Sequence, residues 1–112
     1  MTALISREQL RTDLEAGAVT VIDALGGEYY AKRHLPGAIP LVENDVTDQA
    51  AALLPNKATP IVTYCSNPAC PNSQRVADRL TALGYTDVRK YREGIEDWTT
   101  AGLPTESGRH TS

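Results

Sequence analysis

The sequence predicts an α/β domain whose central sheet is mostly parallel and flanked by helices on both faces. Three observations predict it. Short β-branched or apolar runs alternate with segments of helical period along the chain. No Asn-Gly or Asp-Gly pair joins two alternating runs, so nothing marks a hairpin. The 112 residues suit one domain with a core of its own, placed at residues 1–106, with a polar, flexible tail at 107–112.

The elements follow in order. Ser6 is an N-cap type, and Gln9 stands three residues on, as a capping box requires. Ile5 and Leu10 flank that cap as a hydrophobic staple, Leu14 shares the face of Leu10, and Gly17 ends the helix. Residues 19–22 are a β-rich run ending at Asp23. Gly26-Gly27 breaks the chain, residues 28–32 fit one or two helical turns, and residues 34–40 are loop with a short strand at Ala38-Ile39. Residues 46–54 form a helix that turns Val46, Ala50, Leu53 and Leu54 inward and stops at Pro55. Residues 60–64 are the clearest buried strand. A loop with Pro68 and Pro71 follows. Residues 73–83 are then an amphipathic helix with Val76, Ala77, Leu80 and Leu83 on one stripe. Residues 87–91 are the last strand, and 94–101 the last helix, with Trp98 in the core.

Apolar residues make up 41% and charged residues 22%, a globular rather than disordered balance. Eleven Lys plus Arg against fourteen Asp plus Glu leave a formal charge of -3, which argues against nucleic-acid binding. No apolar run approaches the ~18 residues of a membrane helix. The first residues lack the layout of a signal peptide. The expectation is a cytoplasmic protein that engages neither nucleic acid nor membrane and needs no cofactor.

The two cysteines, Cys65 and Cys70, lie in one loop. A disulfide framework spreads its cysteines along the chain, so these read as local and chemical. Ligands of a parallel sheet bind past the carboxyl ends of its strands. Cys65 stands at such a place, after the strongest strand and ahead of an amphipathic helix. Unpaired N–H groups and the helix dipole there favour a thiolate and cradle an anion. The reading is an ionised, reachable nucleophile in an anion-holding loop. The bland alternative is a small buried hydrophobe.

Over residues 6–106 the chain also resembles the single-domain rhodaneses, a sulfurtransferase family. Val21-Ile22-Asp23, then Tyr30 and His34-Leu35-Pro36-Gly37-Ala38, look like the family's first segment. Tyr64-Cys65, then Ser73, Ala77 and Leu80, look like its active-site strand, loop and helix. Leu83-Gly84-Tyr85, Val88, Tyr91, Gly94, Trp98 and Ala101-Gly102-Leu103-Pro104 look like its last signature. The resemblance implies double displacement through a persulfide on Cys65. It implies thiosulfate or a related small molecule as donor and cyanide, a thiol or a protein as acceptor. It implies a substrate loop of Ser66, Asn67, Ala69, Cys70, Asn72 and Ser73, with Arg75 as the nearest cation. Three departures stand out. Asn72 replaces the usual Arg before the Ser in a loop two residues longer than usual. Asp23-Ala24-Leu25 replaces Asp-Val-Arg, and Glu93-Gly94 replaces Gly-Gly.

Cys70 reads either as a resolving thiol that closes a disulfide with Cys65 or as an incidental loop residue. Asp23 reads as the cap of its own turn, and His34 as a hydrogen-bonded loop residue rather than a base. Cys65, Cys70 and His34 lack zinc spacing, so no metal is expected. Arg89 and Arg92 flank the last strand; Arg92 is the better candidate to attract an anion. A phosphatase or arsenate reductase needs an Arg six residues after the Cys, where Pro71 stands. Two alternatives to sulfur transfer remain: a non-catalytic binding module, and a Cys65/Cys70 redox-responsive dithiol protein.

Overall fold

The structure is a computed structural model that describes residues 2–108. Residues 109–112 of the expected tail lie outside the described residues. Five strands form the sheet: β1 (Ala3–Leu4), β2 (Thr20–Asp23), β3 (Ile39–Pro40), β4 (Ile61–Tyr64) and β5 (Val88–Tyr91). Their order is β1-β5-β4-β2-β3, and every pairing is parallel. The helices are α1 (Arg7–Glu15), α2 (Gly27–Lys32), α3 (Val46–Leu53), α4 (Asn72–Ala82) and α5 (Gly94–Thr100). β1 was not legible, because it is two exposed residues at a sheet edge with no period to detect.

Successive strand residues point to opposite faces, and the core divides accordingly. Val21, Val62 and Tyr64 pack with Leu10 of α1, Tyr30 of α2 and Trp98 of α5. Ile22 and Ile61 pack on the other face with Val46 and Ala50 of α3 and Val76 and Leu80 of α4. Helices therefore cover both faces, as the sequence predicts. The α1 entry is half of the expected capping box: Ser6 Oγ accepts from the Gln9 N–H at 3.1 Å, while the Gln9 amide turns to Asp13 at 2.8 Å. Leu10 beyond that cap is fully buried, a contribution of about 1.5–3 kcal/mol.

β4 lies at the centre, between β5 and β2, and all its residues are buried. The register aligns Asp23, Tyr64 and Tyr91, so three strands end level. The loops that leave those ends, beginning at Ala24, Cys65 and Arg92, share one edge of the sheet.

Candidate active site

Cys65 is the first residue past β4, and both residues before it are fixed. The buried Tyr64 hydroxyl donates to Asp23 Oδ2 at 2.6 Å and accepts from the Leu35 N–H at 3.1 Å. Thr63 Oγ1 donates to the Ser73 carbonyl at 3.0 Å, which ties β4 to the first turn of α4. Asp23 Oδ1 accepts from the N–H groups of Leu25 at 2.8 Å and Gly26 at 3.2 Å. Asp23 thus caps its own turn, as expected, and also clamps β4 to β2. Burial pushes its carboxyl above the ordinary range, while the hydrogen bonds from Tyr64, Leu25 and Gly26 pull the other way. Burial, then the Asp23 charge, holds the Tyr64 phenol well above its ordinary value.

The backbone around Cys65 is held by α5. The Ile95 N–H donates to the Cys65 carbonyl at 2.9 Å, and the Glu96 N–H to the Ser66 carbonyl at 3.0 Å. This approach requires Gly94. Its φ is +79°, and a Cβ there would lie 2.5 Å from the Ser66 carbonyl carbon and oxygen.

Asn67 organises the loop 65–71. Its carbonyl accepts from the Cys70 N–H at 3.1 Å, its Oδ1 accepts from the Ala69 N–H at 2.9 Å, and its Nδ2 donates to Glu96 at 3.1 Å. Asn at the first position and Pro68 at the second are the residues a β-turn favours. The turn carries Cys70 back to Cys65. Their Cα atoms are 6.2 Å apart, and the two sulfurs are joined in a disulfide.

That pairing corrects one expectation. The reading of Cys65 as an ionised and reachable thiol does not describe this state. Cys65 is only 1% exposed and covalently bonded, so it presents no thiolate. The cause is the Asn67 turn, which returns the second sulfur onto the first. The expected cradle is also reshaped. Pro68 and Pro71 have no N–H, and those of Ala69 and Cys70 belong to Asn67. The N–H groups of Ser66, Asn67, Asn72 and Ser73 have no acceptor among the described residues. Asn72 opens α4 and reaches the Ala24 carbonyl at 3.4 Å, Ser73 is buried, and Arg75 is exposed on α4.

Two cations from outside the loop border a cleft beside Ser66. Tyr29, Lys32 and Arg33, at the end of α2, line a cleft of about 280 Å³ with Ser66, Ile95 and Glu96. Sequence reasoning missed them because α2 is remote from Cys65 along the chain. The signal was topological: α2 follows β2, and β2 is the neighbour of β4. His34 is not part of this site. It is buried, stacked on the Tyr30 ring at 3.8 Å, with Nδ1 2.7 Å from the Tyr30 carbonyl. Arg89 pairs with Asp13 at 3.2 Å; Arg92 is exposed and lies 3.6 Å from Glu93. Among the described residues, no group of three or more His, Cys, Asp or Glu is placed to hold a metal ion. Nor is any helix among them long and apolar enough to cross a membrane.

A family model described as a rhodanese-like domain matches residues 6–101. The chain is 33% identical over 104 residues to the HTH-type transcriptional regulator Rv0324 of Mycobacterium tuberculosis, covering 93% of this chain and 45% of that protein. It therefore spans less than half the length of that curated relative. The structure of the BH2092 protein from Bacillus halodurans is similar, with a TM-score of 0.86 and 28% identity over 95% of this chain and 77% of that one. A rhodanese with anions from E. coli gives a TM-score of 0.67 and 27% identity, over 81% of this chain and all (100%) of that one.

Proposed function

The chain belongs to the rhodanese-like domain family, and from that premise we propose that its reduced form is a sulfurtransferase acting through a persulfide on Cys65. The observation that carries this reading is the place of Cys65: directly past the central strand, at the sheet edge where three loops meet, ahead of the N-terminus of α4. A neighbour described as a rhodanese with anions supports an anionic donor such as thiosulfate.

The chemistry begins once the disulfide is reduced. The Cys65 thiolate attacks the sulfane sulfur of thiosulfate, a new S–S bond forms, the old one breaks, and sulfite leaves with the electron pair. The N–H groups of Ser66, Asn67, Asn72 and Ser73 are the donors available to hold the thiolate and the persulfide anion. A thiophilic acceptor, cyanide or a thiol, then takes the outer sulfur and restores the thiolate. A reduced pair is the state that a reducing compartment such as the cytoplasm maintains, which supports a cytoplasmic site of action.

The test is thiocyanate formation from thiosulfate and cyanide by the reduced wild type, Cys65→Ala and Cys70→Ala. Turnover is expected in the wild type and Cys70→Ala and is lost in Cys65→Ala. Loss in Cys70→Ala alone assigns the nucleophile to the other sulfur and contradicts the reading. A second reading, a redox-responsive binding module, is favoured by the closed disulfide. It predicts equal, background thiocyanate from all three proteins.

A further inference from the structure

We propose that Cys70 is a resolving thiol that diverts the Cys65 persulfide to hydrosulfide, giving the domain a persulfide-reductase activity besides sulfur transfer. The proposal rests on the sulfurtransferase reading of Cys65 and names what happens to the bound sulfur when no outside acceptor arrives.

The argument starts from reach. Disulfides form where Cα atoms lie between about 4.4 and 6.8 Å apart; here the separation is 6.2 Å and the bond is made. A thiol that reaches the Cys65 sulfur in the disulfide reaches the same sulfur in the persulfide, where it is the inner atom. The loop is built for this return. Asn67 accepts from the N–H groups of both Ala69 and Cys70, and its amide anchors the turn to Glu96 of α5. Pro68 removes freedom from the same turn. Cys70 is therefore delivered at high local concentration rather than by diffusion. Access differs as well: Cys65 is nearly inaccessible, whereas Cys70 is half-buried between the exposed Ala69 and Pro71.

The step balances. The Cys70 thiolate attacks the inner sulfur of Cys65–S–SH. The Cys65–Cys70 bond forms, the S–SH bond breaks, and hydrosulfide leaves with the electron pair. The outer sulfur is reduced to hydrosulfide and the Cys70 sulfur is oxidised, while the Cys65 sulfur exchanges one S–S bond for another. An external dithiol then reduces the disulfide by exchange and returns the domain to its starting state. The disulfide state of this structure is the product of that step. In it Cys65 is sealed, so the domain takes up no further sulfur until a dithiol opens it.

The experiment is a single turnover. The protein is reduced, freed of reductant without oxygen, and mixed with excess thiosulfate but no acceptor. Sulfite, hydrosulfide and intact mass are then measured for wild type, Cys70→Ala and Cys70→Ser. The wild type is expected to release sulfite and hydrosulfide in equal amounts and to end as the disulfide, two hydrogens lighter than the reduced chain. Both variants are expected to release sulfite, to gain one sulfur atom, and to yield at least about tenfold less hydrosulfide. Asn67→Ala should lower the ratio of hydrosulfide to sulfite and show a transient persulfide, because the turn that returns Cys70 is loosened; a ratio equal to that of the wild type contradicts the role given to the turn. A wild type that keeps its extra sulfur and releases no hydrosulfide overturns the proposal while leaving the transfer reading intact. Absence of sulfite from every protein removes the transfer reading, and this inference with it.

Discussion

Two neighbouring turns leave the same edge of the sheet, and they use their polar groups in opposite ways. The turn after β2 is closed on itself. Asp23 takes donors from Leu25, Gly26 and Tyr64, and Tyr64 takes one from Leu35. The loop after β4 is held at its ends by α5 and by the Asn67 turn, yet the N–H groups of Ser66 and Asn67 lack an acceptor among the described residues. The difference shows a division of labour. Buried polar groups that are all paired make a rigid support. Unpaired donors in the loop that carries Cys65 are the groups the proposed sulfur transfer would use to hold an anion.

The largest effect expected from breaking this contrast is at Cys65. Cys65→Ala should abolish thiocyanate formation while leaving unfolding by urea nearly unchanged, once the wild type is compared in its reduced form. A strong loss of stability with residual turnover would reverse the assignment of the two turns. Next comes Gly94→Ala. The substitution drives a Cβ into the Ser66 backbone at a φ of +79°. It should cost about 2 kcal/mol or more and displace the loop. Equilibrium unfolding measures the cost, and the rate of sulfite release measures the displacement.

Asp23→Asn sharpens the support side. The native carboxyl is raised above its unfolded value, first by burial. The sign follows: such an acid favours the fold when protonated, and that contribution is lost as pH rises through the raised value. As pH rises from the ordinary carboxylate range through the raised value, the wild type should therefore lose stability relative to Asp23→Asn. A gap that stays constant or widens the other way contradicts the burial argument. The smallest effect belongs to the α2 cations. Lys32→Ala and Arg33→Ala should each raise the concentration of an anionic thiol acceptor needed for half-maximal rate by about two- to fivefold. The change should vanish at high salt and be absent with a neutral thiol.

Much of the support was legible because it rests on local pattern. The Ser6 cap, the β-branched strand before Cys65 and the Val76–Leu80 stripe are short-range signals of known period. The parallel sheet followed from their alternation. The site was legible as a cysteine at a strand end, since that needs only a strand and a helix in sequence. Its remainder depends on chain segments distant in sequence. The Tyr64–Asp23 bond joins residues 41 apart, and Asn67 meets Glu96 at a separation of 29. Gly94 reads as a helix start until Ser66 is seen against it. Lys32 closes a segment read only as one or two helical turns, and it borders a cleft with Arg33 and Ser66 once the chain is folded. The return of Cys70 was written locally, in Asn67-Pro68, but only the hydrogen bonds show which way the turn closes.

Intact mass of reduced Cys70→Ala after thiosulfate, read alongside the Cys65→Ala/Cys70→Ala double variant, tests the account most directly. With the resolving sulfur absent, the single variant should carry one added sulfur atom mapped to Cys65, removable by cyanide, and the double variant none. An unmodified Cys65 in the single variant, with no sulfite in solution, contradicts it.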